Sequence, residues 1–133
     1  MRRPLLILTL LCLGASLHAQ WMAVGSGISA TPRGIQSLAA LDANTLWAVT
    51  NDPTFTVAAR EFTRTTNGGL TWDTGVIDAA NGDSYTSISV FALDANTAWV
   101  TMADLDFGTF STGRIYKTTN GGQSWQQQSG TFN

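Results

Sequence analysis

Two segments of this 133-residue chain return later as near copies, at a common spacing. SLAALDANTLW at 37–47 recurs as SVFALDANTAW at 89–99, with 8 of 11 positions identical at an offset of 52. FTRTTNGGLTW at 62–72 recurs as IYKTTNGGQSW at 115–125, with 6 of 11 identical at an offset of 53. Unrelated segments of that length share about one position, so one structural unit has been duplicated. The five tryptophans keep the same beat: Trp47 and Trp99 are 52 apart, and Trp21, Trp72 and Trp125 are 51 and 53 apart. The repetition identifies the architecture and leaves the ligand or partner open.

Within each unit the apolar runs are short and punctuated by turn residues, which favours strands over helices. The first unit predicts strands at 36–41, 45–50, 60–65 and 71–76, and the second at 87–93, 97–102, 113–118 and 124–128. Four antiparallel strands in a period of about 52 residues suit a propeller blade, for which roughly 40 to 50 is usual. The expected fold is therefore all-β: a partial β-propeller over 21–133, with a lead-in strand at 21–26, blade one at 36–77 and blade two at 87–130. Trp21 to Gly25 mimics the outer strand that begins at Trp72 or Trp125.

Asp42-Ala43-Asn44 and Asp94-Ala95-Asn96 make the turns between the first and second strands, where Asp and Asn can bond their own backbone. The turns between the third and fourth strands are more distinctive. Thr65, Asn67, Gly69, Thr71 and Trp72, and then Thr118, Asn120, Gly122, Ser124 and Trp125, both fit S/T-x-D/N-x-G-x-T/S-W. This pattern resembles the Asp-box, or bacterial neuraminidase repeat, with Asn in the acidic position. The residues are read as structural: Asn accepts turn amides, Gly takes positive φ, and Trp covers a neighbouring sheet face. The spelling D-x-N-T-x-W followed by K/R-T-T-N-G-G-x-S/T-W is most similar to the photosystem II assembly and stability factor family of propellers, over nearly all of 36–128. The resemblance implies a noncatalytic propeller that holds other proteins.

Arg2 and Arg3, the apolar run from Leu5 to Leu13 and the end at Ala19-Gln20 have the layout of a secretory signal over 1–20, with cleavage near Ala19. The expected location is secreted or bacterial cell envelope. An apolar run of about nine residues is far short of the roughly 20 that span a bilayer, so no stable membrane span is expected. Cleavage there removes the only cysteine, Cys12, and the only histidine, His18. The mature chain would then lack a thiol nucleophile, a histidine base, a Cys/His zinc site and any disulfide. It carries five basic residues against nine acidic ones, a net charge of −4 that will not draw nucleic acid to it.

Antiparallel order puts the short repeated turns on one side and the divergent loops 51–59, 73–86 and 103–112 on the other, where recognition is expected. The candidate binding rim is Asp52, Tyr85, Asp104 and Asp106, with Asp78, Asp83, Phe107 and Phe110 nearby. Asp52, Asp104 and Asp106 could group around a calcium ion or a sugar, against the plainer reading of a solvated acidic rim. No catalytic residue, cofactor or metal is expected. Protein and glycan are the partner classes considered, together with self-association through open blade faces, because about four to eight blades close a ring and two are encoded. The alternative is part of a sialidase-like or other glycoside hydrolase propeller whose active-site blades are absent. Glu61 is the only glutamate, at the strand position matching Arg114, and Arg33 lies in the unrepeated lead-in. Arg64 and Lys117, at equivalent positions, read as a solvated strand end beside the acidic rim, against the alternative of a ligand-binding stripe. The chain is expected to be a piece of a longer propeller.

Overall fold

A computed structural model describes residues 27–28, 32–78, 84–104 and 113–128. The leader expected at 1–20, the lead-in strand at 21–26 and residues Asp83, Asp106, Phe107 and Phe110 lie outside the described residues. Eight strands run in chain order: β1 (Gly34–Ala40), β2 (Leu46–Asn51), β3 (Glu61–Thr65), β4 (Asp73–Val76), β5 (Tyr85–Ala92), β6 (Ala98–Asp104), β7 (Gly113–Thr118) and β8 (Gln126–Gln127). They form two four-stranded antiparallel sheets, β1-β2-β3-β4 and β5-β6-β7-β8, with every strand beside its sequence neighbour. Among the described residues there is no helix, and so none long and apolar enough to cross a membrane.

The two sheets repeat each other down to their irregularities. The register between β1 and β2 slips at Gln36, and that between β5 and β6 slips at Ile88, 52 residues later. A bulge at the same place in the first strand of each sheet turns the following side chains to the opposite face. The first turn of each sheet is closed by its aspartate: Asp42 Oδ1 accepts from the amides of Asn44 and Thr45 at 2.7 Å each, and Asp94 Oδ1 does the same for Asn96 and Thr97. β4 begins at Asp73 rather than Thr71, because the amide of Thr71 is taken by the preceding turn.

Paired residues in antiparallel strands project to one face. Trp47 pairs with Ala39 and Arg64, and Val49 with Ser37 and Phe62, so these side chains share the face turned toward the second sheet. The second sheet answers with Ala92, Ala98, Val100, Met102 and Tyr116, and the two sets make one core cluster. Trp47 is 0% exposed. Its ring lies 5.8 Å from Phe62 and 6.3 Å, edge-on, from Trp125, which is itself 5.5 Å from Phe62. Hydrogen bonds stitch the same joint: Trp47 Nε1 donates to Asp94 O at 3.2 Å, and the Val90 amide to Ser37 Oγ at 3.3 Å.

Arg64 corrects the solvated-end reading. Its guanidinium sits 5.4 Å from the Trp47 ring centre, donates to Ala95 O at 2.6 Å and pairs with Asp73 at 2.5 Å. A stacked, hydrogen-bonded arginine inside a joint is held by packing as much as by charge.

Deleting the Trp47 indole leaves a cavity that two sheets cannot both collapse to fill. Trp47→Ala is expected to cost about 3–5 kcal/mol, whereas Trp99→Ala, on the open face of the second sheet, is expected to cost under about 1.5 kcal/mol. Chemical denaturation of the two variants measures the difference, and equal losses would contradict this placement of the core.

Candidate functional site

The turns that follow β3 and β7 are the most regular local structures in the molecule. Thr65 Oγ1 accepts the amide of Gly69 at 2.9 Å and of Asn67 at 3.3 Å, and donates to Asn67 Oδ1 at 3.0 Å. Asn67 Oδ1 also takes the Thr71 amide at 2.9 Å, while its Nδ2 donates to Thr71 Oγ1 at 2.8 Å. Thr118, Asn120, Gly122 and Ser124 repeat the pattern bond for bond. Gly69 and Gly122 sit at φ of +86° and +88°, a region costly for other residues. The side chains of Thr65, Asn67, Thr118 and Asn120 are thus engaged within their own turns. Trp125 lies against Trp47 and Phe62, and its Nε1 is buried with no hydrogen bond, so packing alone accounts for its place. Trp72 is half-buried and backs onto Gly27.

At the opposite end, the connection from β2 to β3 folds around one carboxylate. Asp52 Oδ1 accepts from the Thr54 hydroxyl at 2.7 Å and its amide at 2.9 Å, and Oδ2 accepts from the amides of Thr56 at 2.9 Å and Val57 at 2.8 Å. The Thr54 bonds first, then those from Val57 and Thr56, hold the Asp52 carboxyl far below the usual carboxylate range, although desolvation opposes them. Pinning three amides to one side chain tightens the loop until Phe55 adopts φ of +55°, a left-handed conformation that aromatic residues seldom accept. Its ring is 67% exposed.

This stapled loop forms one wall of a cleft of about 130 Å3 whose far wall is the start of β5. Phe55, Val57 and Ile88 supply its apolar lining, with Gln36, Thr86 and Ser87 beside them. The walls cannot drift apart, because Ser87 N donates to Ala59 O at 2.8 Å and Thr86 Oγ1 bridges the Ala59 amide and carbonyl, both at 3.2 Å. Gln36 and Ile88 are the two bulge residues, so the irregularity common to both sheets opens the cleft. A concave apolar site with a few polar groups, built on two braced elements, is the usual form of a recognition pocket.

The residues singled out from sequence are distributed otherwise. Asp52 closes on its own loop and does not join Asp104, which accepts from the Ser84 hydroxyl. Among the described residues no three His, Cys, Asp or Glu side chains are grouped as metal ligands. Tyr85 is not on the surface of the rim: it is buried in the core, with the Arg114 guanidinium 4.0 Å over its ring. Glu61 is held between Arg33, whose Nε reaches both carboxylate oxygens at 3.1 Å, and Thr50 Oγ1 at 2.9 Å. Burial pushes the Glu61 carboxyl up, but the bonds from Arg33 and Thr50 outweigh it and the net shift is downward. Phe55, Val57 and Ile88 were not among the sequence candidates. Asp52-Pro53-Thr54, an aspartate-led turn signal, was the available hint.

Asp42, Asp52, Glu61 and Asp94 all have carboxyls held below their ordinary values, the first and last chiefly by the backbone amides two and three residues on. A depressed folded value means stability that is complete above the unfolded value, about pH 4, and is lost as pH falls through the folded one. Thermal unfolding should therefore move to lower temperature on acidification. Asp52→Asn should lower the midpoint at neutral pH, and the gap from the parent should close as pH falls below about 4. A gap that widens with acid would contradict the staple.

Comparison with family models and with curated proteins finds no match for this chain. Among solved structures it is similar to one described as YCF48 bound to D1 peptide, at 25% identity and a TM-score of 0.48. The likeness covers 74% of this chain and 26% of that one, so the chain spans about a quarter of the length of the structure it matches.

Proposed function

We propose that this chain is a noncatalytic, propeller-type binding protein, exported through the leader at 1–20 and built on Asp-box hairpins, whose cleft takes an apolar side chain from an extended segment of another protein. The observation that carries the reading is the cleft itself. Phe55 and Val57 are held out to solvent on a loop whose conformation is stabilised by five donor groups bonded to the Asp52 carboxylate, with Ile88 facing them from the next sheet. An apolar anchor entering a preformed, braced pocket loses little entropy to loop ordering, which is how a small contact becomes a specific one.

The state of the carboxylates supports a binding role over hydrolysis. A glycosidase needs one carboxyl raised in pKa to serve as general acid and a second poised opposite it. Glu61 is clamped by Arg33 and Thr50, and Asp52 is closed by its own loop; both are shifted down.

Panning a displayed random-peptide library against the purified chain tests this reading. Selected peptides should share an apolar anchor residue, and Ile88→Asp should weaken them at least about tenfold without altering the unfolding midpoint. Peptides that bind the Ile88→Asp chain unchanged would refute the cleft, and release of sialic acid or glucose by the chain, abolished by Glu61→Gln, would refute the noncatalytic role.

A further inference from the structure

The joint between the sheets has two unlike halves, and the chain contains a second copy of each that is not used in it. One half is the face around Trp47, where Trp47 Nε1 bonds Asp94 O and Arg64 Nη1 bonds Ala95 O. The other is the core face of the second sheet together with the pair of turns at 94–96 and 118–125, whose glycines Gly121 and Gly122 lie hard against Arg64 and Phe62.

Trp99 and Lys117 rebuild the first half on the outer face of the second sheet. They pair in the register of Trp47 and Arg64, and Lys117 Nζ stands 4.8 Å from the Trp99 ring centre. Beside them Phe91 and Leu93 are 64% and 61% exposed. The turns at 42–44 and 65–72 rebuild the turns of the second half with the same internal geometry. Gly68 N donates to Asn44 O at 2.9 Å, as Gly121 N does to Asn96 O, and φ at Gly68 and Gly121 is +69° and +71°. What differs is cover. Ala43 and Gly68 are exposed where Ala95 is half-buried and Gly121 is buried.

We propose that a second copy of this chain docks its turns at 42–44 and 65–72 onto the Trp99–Lys117 face, repeating the internal joint between molecules. The Trp99 indole N–H would meet the carbonyl of Asp42 and the Lys117 ammonium that of Ala43, with the Asp42 carboxylate adding attraction to the cation. Because the two halves are different surfaces, the contact is heterologous. Each docked copy leaves one half of each kind free, so assembly proceeds head to tail toward a ring or a filament. This surface is separate from the cleft.

Sedimentation of the purified chain over a concentration series tests the proposal, with circular dichroism showing that each variant is folded. The parent should pass from monomer mass to species larger than a dimer. Lys117→Glu and Ala43→Arg should each stay monomeric, because each spoils one half. Mixed in equal amounts they should recover assembly, because the unchanged turn of one meets the unchanged face of the other and the two changed halves bring opposite charges together. Combined in one chain, the two changes should restore assembly by exchanging the charges. An Ile88→Asp chain should assemble like the parent, which separates this joint from the cleft. A parent that is monomeric throughout, single variants that assemble like the parent, or a mixture that stays monomeric would each overturn the proposal.

Discussion

The contact on which the rest depends is the aromatic seal between the sheets, where Trp47 and Phe62 of one receive Trp125 of the other. A single four-stranded meander has one face too many to keep dry, and it becomes stable only when that face is covered. Edge-on aromatic packing is well suited to the task, because each ring buries a large apolar area and adds a directional attraction of about 0.5–1.5 kcal/mol. The backbone bonds to Asp94 and Ala95 lie at the margin of the seal and set its register. They also tie the first turn of one sheet to the face of the other, so the turns contribute to packing as well as to chain reversal.

That double duty explains why the turns are spelled so strictly. Thr118 and Asn120 satisfy amides of their own loop, which lets its outer surface lie against Phe62 and Arg64. Gly121 and Gly122 are constrained twice over, by positive φ and by the neighbouring side chains, and a Cβ at either would collide. At the other end of the sheets the two repeats differ in sequence. There the chain invests in one aspartate that organises a loop and holds an aromatic ring in an otherwise unfavourable conformation. Rigid scaffold at one end and a braced, divergent loop at the other is a common division between stability and recognition.

Much of this was readable in the residues because repetition turns weak local signals into a strong one. The eight strands fall within a few residues of their predicted places, and the bulges at Gln36 and Ile88 were invisible because a bulge has no spelling of its own at those positions. Reading by repeat also hides what is unique. Phe55 and Val57 belong to a loop whose sequence is not repeated in the second unit, so periodicity carried no information about them. Tyr85 and Arg64 were misplaced for a different reason. Each is a polar-tipped side chain at a strand end, and only the neighbouring sheet decides whether it is wet or stacked. Asp52 was read as a free rim carboxylate when the threonines after it already offered the partners it uses.

A double-mutant cycle across the seal is the most direct measure of whether the two sheets are one cooperative unit. Phe62→Leu and Trp125→Leu, singly and together, should show a coupling of about 0.5–1.5 kcal/mol in unfolding free energy, while the same cycle between Phe62 and Trp72 should show none beyond error. Additive losses for Phe62 and Trp125 would mean that the sheets do not stabilise each other through these rings, and the account built on that joint would fail.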